Sequence, residues 1–331
     1  MLKDSSILIT GGTGSFGRSF VQLTLKKYNP KRLVIYSRDE MKQWDMSKDY
    51  EGDNRVKCFL GDVRDLDRLE RALDGVDYVV HAAATKFVPT AESDPIECIK
   101  TNIHGAINVI DACIKQRVKR VVALSTDKAS APANLYGATK MVSEKLFIAA
   151  NKYSVRPNTI FSVVRYGNIM GSRGSIIPYF HSIRNKTKIP VTDPRMTRFM
   201  ITPKQCVLLV WKTFSDMVGG EIYIKKIPSM KIMDVASTML PDADHEIVGI
   251  RPGEKLHEQL IGKDDAPYTF AYDGYYKILP SIHNWSTDLE RIKEGQKVSD
   301  EFIYESSSND VWMTEQDLLK WIKNNRDIIG S

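Results

Sequence analysis

Short apolar runs alternate along the first half of the chain with longer stretches whose apolar residues recur every three or four positions. The runs Ser6–Thr10, Arg32–Ser37, Val56–Gly61, Tyr78–Ala82, Val118–Ser125 and Thr159–Tyr166 read as strands. Between them, segments such as Asp65–Leu73 and Pro95–Lys115 carry helical spacing. Strand–helix alternation of this kind predicts an α/β fold, a Rossmann-like doubly wound parallel sheet with helices on both faces. Beyond residue 168 the pattern becomes irregular. Gly171-Ser172-Arg173-Gly174-Ser175 reads as a loop, Ile189–Thr192 as a short strand, and Leu318, Leu319, Trp321 and Ile322 mark a terminal helix over Thr314–Asn324.

Composition narrows the class. With 331 residues, 42% hydrophobic and 27% charged, the chain can bury a substantial core as one large or two smaller domains. Its first residues run into Ile7-Leu8-Ile9 without a signal-peptide pattern, and no apolar run is long enough for a bilayer span, so a cytoplasmic protein without a membrane partner is expected. The four cysteines, Cys58, Cys98, Cys113 and Cys206, show no metal-ligand or disulfide pattern; they read as structural thiols, and no metal is expected. The net charge of +6 is spread among acids and forms no basic stripe, which argues against nucleic acid and fits an anionic small molecule.

The first strand runs into Thr10-Gly11-Gly12-Thr13-Gly14-Ser15-Phe16-Gly17 and then a helix. Glycines at 11, 14 and 17 allow a tight turn, close approach of backbone N–H groups to a pyrophosphate, and close helix-to-sheet contact; Thr13, Ser15 and Phe16 would line the same turn. A dinucleotide-binding domain is therefore expected over residues 1–167 and a smaller substrate-binding region over 168–331, with the chain able to cross between them. At the end of the second strand stand Tyr36-Ser37-Arg38-Asp39, with Lys42 a turn later. A hydroxyl and a guanidinium suit a 2′-phosphate, so NADP is favoured; the alternative is that Arg38 faces solvent and Asp39 takes the ribose of NAD. Asp62, followed by Val63, either holds the adenine or caps the next helix. Ala82, Ala83 and Ala84 offer small residues where a cofactor could pass closely.

Tyr136 and Lys140 form a Tyr-x-x-x-Lys pair, which puts phenol and ammonium on one helix face, where the ammonium can lower the phenol pKa and let a phenolate take a hydroxyl proton during hydride transfer. Just upstream, Asp127 and Lys128 set an acid beside a base; they are either chemical groups or a solvated turn.

Taken together, "GGTGSFG", "YSRDE", "GDVRD", "HAAATKFVPTAESDPIECIKTNIHGA", "STDKA", "NLYGATK", "SVVRYGN", "GSRGS", "TDPRMTRF", "KIPSMK" and "GIRPGEKLHE" span almost the whole chain. In these the chain resembles the extended short-chain dehydrogenases/reductases, and more narrowly the inverting UDP-N-acetylglucosamine 4,6-dehydratases that begin pseudaminic acid synthesis. The Asp127-Lys128 pair carries the narrower resemblance. Dehydratases of the dTDP-glucose type have Asp-Glu at this place, and epimerases commonly have small hydroxyl residues.

The resemblance implies a lyase with UDP-N-acetylglucosamine as substrate, tightly bound NADP regenerated at each turnover, and a homo-oligomer, dimer or hexamer. Tyr136 with Lys140 would take the 4-hydroxyl proton. Lys128, neutral if burial or Lys86 depresses its pKa, would remove the C5 proton, and a protonated Asp127 would donate to the departing 6-hydroxyl. Ser125 or Thr126 would bind the 4-oxygen, and Lys86 would overlook both cofactor and sugar. Asn168, Arg173, Thr192, Arg198, Arg251 and Glu254 would serve the nucleotide diphosphate and ribose. The chain departs from the family pattern at Thr85 and Phe87, which flank Lys86, and at Ala131-Pro132-Ala133, where Asn-Pro-Ile would fit. The alternatives are a dehydratase that retains C5 or epimerises further, and a non-catalytic NADP-binding sensor.

Overall fold

The computed structural model describes residues 2–153, 159–280 and 282–326. Seven strands run parallel: β1 (Ser6–Thr10), β2 (Arg32–Ser37), β3 (Val56–Leu60), β4 (Tyr78–His81), β5 (Arg120–Thr126), β6 (Ile160–Tyr166) and β7 (Ile222–Lys225). Their spatial order is β3-β2-β1-β4-β5-β6-β7. Three antiparallel strands, β8 (Thr269–Tyr272), β9 (Tyr275–Ile278) and β10 (Gln296–Lys297), extend the sheet beyond β7 in the order β9-β8-β10. Every residue of β1 and β4 is buried, and so are six of the seven in β5. Strands buried on both faces need helices on both, which is why their sequences are unbroken apolar runs without alternation.

The strands and helices stand where the apolar pattern predicts them, with two differences. The run from Val118 begins as a strand only at Arg120, because Arg117 takes a left-handed conformation (φ +56°) and Val118 N–H bonds back to Cys113 O at 3.0 Å, closing the preceding helix. The helical pattern Pro95–Lys115 is interrupted by a π-helical turn, Lys100–His104.

After β6 the chain builds a three-stranded sheet from Asn168–Ile169, Thr197–Ile201 and Ser229–Lys231. A separate core, with Met170, Phe180, Val191, Met200, Met230 and Val235, lies under it. The terminal helix Glu315–Asn324 closes this core with Leu318, and its first turn is capped by Thr314 and Asp317 in a reciprocal capping box. Among the described residues no helix is long and apolar enough to cross a membrane. The strand order reverses between β1 and β4, so the loops leaving their C-terminal ends diverge and open a crevice there.

Candidate active site

Two loops form the floor of that crevice. Gly11 has φ +66°, and a Cβ there would lie 2.8 Å from Ala83 N; at Gly17 a Cβ would lie 2.3 Å from Gly12 O. Any side chain at either position would push the turn off β4 or the helix off the turn. Thr10 holds the two loops together. Its Oγ1 accepts the N–H groups of Ala82 and Ala83 at 3.1 and 3.2 Å. With both lone pairs engaged, its hydroxyl donates to His81 Nδ1 at 2.9 Å, which fixes the neutral Nε2–H tautomer of this buried ring. Gly11, Gly14, Ser15, Ala82, Ala83 and Ala84 thus lie on the two loops that flank one cleft, where small residues leave room for a pyrophosphate to approach. Phe16 and Val63 turn their side chains into the core, leaving only their backbone to this cleft.

At the end of β2, Thr13 Oγ1 and Ser37 Oγ share a hydrogen bond of 2.8 Å. Arg38 is 57% exposed, with a guanidinium nitrogen 3.7 Å from Asp62. Asp39 caps the helix Glu40–Lys48 by accepting from Lys42 N at 2.9 Å, and its carboxylate also pairs with Lys42 Nζ at 2.5 Å. The carboxylate that an NAD ribose would need is therefore already engaged in holding a helix. Nor is Asp62 the cap of the following helix: Asp65 fills that place, accepting from Arg68 N, while Asp62 pairs with Arg64 at 2.8 Å.

The reaction centre gathers at the end of β5. Thr126 Oγ1 donates to Asp127 Oδ1 at 2.8 Å. Lys128 Nζ lies 3.1 Å from Asp127 Oδ1 and 3.0 Å from Glu258 Oε1. Asp127 is fully buried, and its Oδ2 has no hydrogen-bond partner among the described residues. Tyr136 opens the helix Leu135–Tyr153, whose first turn is capped by Asn134 Oδ1 accepting from Gly137 N at 2.8 Å. The four groups singled out in the sequence, Asp127, Lys128, Tyr136 and Lys140, are all buried or largely buried here, which rules out a solvated turn.

Their electrostatics differ from expectation in two respects. Burial pushes Tyr136 up to about 12, and the Lys128 ammonium pulls the other way. Lys140, expected to be the cation lowering the phenol, is itself brought down to about 8 by burial, partly offset by Glu144. Lys128 would be neutral only if burial or Lys86 depressed its pKa. Burial does act against its charge, but Asp127 and Glu258 outweigh burial and hold the ammonium above the ordinary lysine range. Lys86 falls too, through burial and then the charges of Lys128 and Arg173.

Around the centre, the loop at 171–175 closes on the glycine turn. Arg173 N donates to Ser15 Oγ at 3.1 Å, and Arg173 O accepts from Lys86 Nζ at 2.8 Å. Asn168, half-buried, stands at the start of the small sheet, and Thr192 bonds Met196 Sδ at 3.2 Å. Arg251 is exposed and pairs with Glu254 at 3.4 Å. Arg198 differs from the rest of this set. It is buried, donates to the carbonyls of Thr197, Lys255 and Leu256, and its Nε is 3.7 Å from Glu258, so it belongs to the charge network around Lys128.

Sequence reasoning missed Glu258 and Asn102. Asn102, in the π-helical turn, accepts Thr85 N–H at 2.9 Å and donates to Thr85 O at 2.9 Å and Thr139 Oγ1 at 3.0 Å, tying the loop of Lys86 to the helix of Tyr136. The π turn leaves no trace in apolar periodicity, and nothing in the sequence around Glu258 tells a glutamate that faces water from one that meets a buried lysine.

A family model described as "Polysaccharide biosynthesis protein" matches residues 7–280. A protein of Campylobacter jejuni subsp. jejuni serotype O:23/36 (strain 81-176), named UDP-N-acetylglucosamine 4,6-dehydratase (inverting), is 50% identical over 326 residues, covering 96% of this chain and 97% of its own. A UDP-glucose 4-epimerase of Rickettsia massiliae is 41% identical over 286 residues, 84% of each chain. Among solved structures, the X-ray structure of Pen from Bacillus thuringiensis superposes with a TM-score of 0.88 at 35% identity, covering 98% of this chain and 99% of that one.

Proposed function

The chain belongs to the polysaccharide biosynthesis protein family, among the inverting UDP-N-acetylglucosamine 4,6-dehydratases, and from that premise we propose that it dehydrates UDP-N-acetylglucosamine with inversion at C5, using bound NADP. The observation that carries this reading is the Asp127–Lys128 pair, 3.1 Å apart and close enough to Tyr136 for both charges to act on the phenol. The cleft between Gly11 and Ala83 fits the cofactor pyrophosphate, and Ser37 and Arg38 suit a 2′-phosphate. Bound NADP supplies one capability, accepting a hydride from C4 of the sugar and returning it to C6.

The protein's own groups handle the protons. Tyr136, ionised to the phenolate beforehand with the help of the Lys128 ammonium, takes the 4-hydroxyl proton and becomes the phenol. The ketone formed at C4 acidifies the hydrogen at C5. Lys128 must then be an amine, and Asp127 Oδ1, 3.1 Å away, is within reach of its proton. That single transfer makes both forms the elimination uses: an amine to take the C5 proton and a carboxylic acid to protonate the departing 6-hydroxyl. Elimination returns Lys128 to the ammonium and Asp127 to the carboxylate, so the pair is reset. Inversion follows when a proton from solvent re-enters C5 from the face opposite Lys128, while Tyr136 gives the 4-hydroxyl proton back to solvent.

Incubating the protein with UDP-N-acetylglucosamine in deuterated water, without added reductant, tests the reading by mass spectrometry and proton NMR. The expected product has lost water, carries deuterium at C5 and has an L-configured ring. A D-configured product would overturn inversion, a C4 epimer without water loss would place the chain with the 4-epimerases, and unchanged substrate beside bound NADP would leave only a sensor. Lys128→Ala is expected to lower kcat by about 100-fold or more with the fold intact; near-normal turnover would remove Lys128 as the base.

A further inference from the structure

Glu258 is placed with more care than a surface motif requires. Its backbone is clamped on both sides by Ser306, which accepts Glu258 N–H on Oγ at 2.9 Å and donates its own N–H to Glu258 O at 2.8 Å. The carboxylate is 2% exposed; Oε1 meets Lys128 Nζ at 3.0 Å, and Oε2 has no partner among the described residues. A buried carboxylate with one empty oxygen is expensive to keep for packing alone.

We propose that Glu258 is a positioning residue for the dehydration: it holds the Lys128 nitrogen between two carboxylates, so that Asp127 and Lys128 together keep one proton throughout the working pH range. Elimination needs that one proton, on Asp127 when the leaving group departs and on Lys128 afterwards. If the pair loses it to solvent, Lys128 is still a base but Asp127 has nothing to donate. The negative charge of Glu258, 3.0 Å from Nζ, opposes that loss. Asp127 cannot do this alone, since it must give its proton up at each turnover.

The other charges facing Glu258 are consistent with such a balance. From the strand Thr197–Ile201 comes Arg198, Nε 3.7 Å away. From the same segment as Glu258 comes Lys255, whose Nζ is drawn to Ser130 O at 2.7 Å and whose charge is partly answered by Glu305. His257, next in sequence, is turned aside to Thr197 Oγ1 at 2.8 Å. Asp127 and Lys128 complete the set.

This inference rests on the dehydratase reading, and the pH profile of kcat separates the two. Glu258→Gln keeps the shape and removes the charge. Its alkaline limb is expected to move down by one pH unit or more, with kcat lowered at pH 8 and KM for the sugar nucleotide changed less than threefold. A uniformly slower enzyme with the wild-type limb, or an unchanged one, would overturn the role. Should the glutamine variant not fold, Glu258→Asp carries the test: its charge lies one methylene further back, the limb is expected to fall by a fraction of a unit, and a limb that stays put overturns the proposal. A wild-type chain that never dehydrates would instead sink the dehydratase reading itself.

Discussion

At the residue scale, Arg38 is the group we propose sets the choice of cofactor. Asp39 beside it caps a helix and pairs with Lys42, and Asp62 is paired with Arg64, so the exposed guanidinium of Arg38 is the group at the end of β2 best placed to meet an additional phosphate. Hydrogen bonds to charged groups contribute about 1.5–3 kcal/mol. Arg38→Ala is therefore expected to weaken NADP by about 10-fold or more while leaving NAD nearly unchanged, measured by calorimetric or fluorescence titration; equal losses for both cofactors would refute the assignment. A single residue of this kind is legible in sequence because its role depends on chemical type and on a position fixed by the strand before it. Glu258 is not, since a glutamate looks the same whether it faces water or a buried lysine.

At the scale of elements, the connection between β5 and the helix Leu135–Tyr153 decides how acid, base and phenol sit together. Two hydrogen bonds fasten it to the segment at 253–255: Lys255 Nζ to Ser130 O at 2.7 Å and Asn134 Nδ2 to Gly253 O at 2.8 Å. Within it Ala131 adopts φ +44°, a left-handed conformation that disfavours alanine by about 1–2 kcal/mol and that asparagine tolerates. The position where the sequence departs from the family pattern is thus one where the pattern's asparagine would relieve strain. Ala131 is exposed, so nothing is lost by enlarging it. Ala131→Asn is expected to raise stability by about 1 kcal/mol, read as a higher denaturant midpoint; a lower midpoint would show that the strain is absent. The departure was visible in sequence, but its physical meaning required the backbone angle.

At the scale of the whole molecule, β1 and β4 are joined at the crevice through Thr10 and the neutral ring of His81, and this joint is sensitive to acid. Burial, followed by the charge of Lys140, lowers His81 to about 3. Between that value and the ordinary histidine range the unfolded chain binds a proton that the folded chain refuses. Stability therefore falls as pH drops from about 6.5 toward 3, by at most about 1.4 kcal/mol per pH unit. His81→Gln is expected to flatten the dependence of unfolding free energy on pH between 6.5 and 4.5; parallel slopes for variant and wild type would exclude this histidine as the cause. The sequence by itself determined the strand runs, the glycine turn and the Tyr136/Lys140 spacing, because apolar periodicity and local spacing are properties of neighbouring residues, and it singled out Asp127 and Lys128 through the family resemblance. Only the tertiary structure decided their protonation. Glu258, 130 residues from Lys128 along the chain, keeps that lysine charged, and burial brings Lys140 down instead of leaving it a firm cation, since desolvation and long-range charge depend on what the fold brings close.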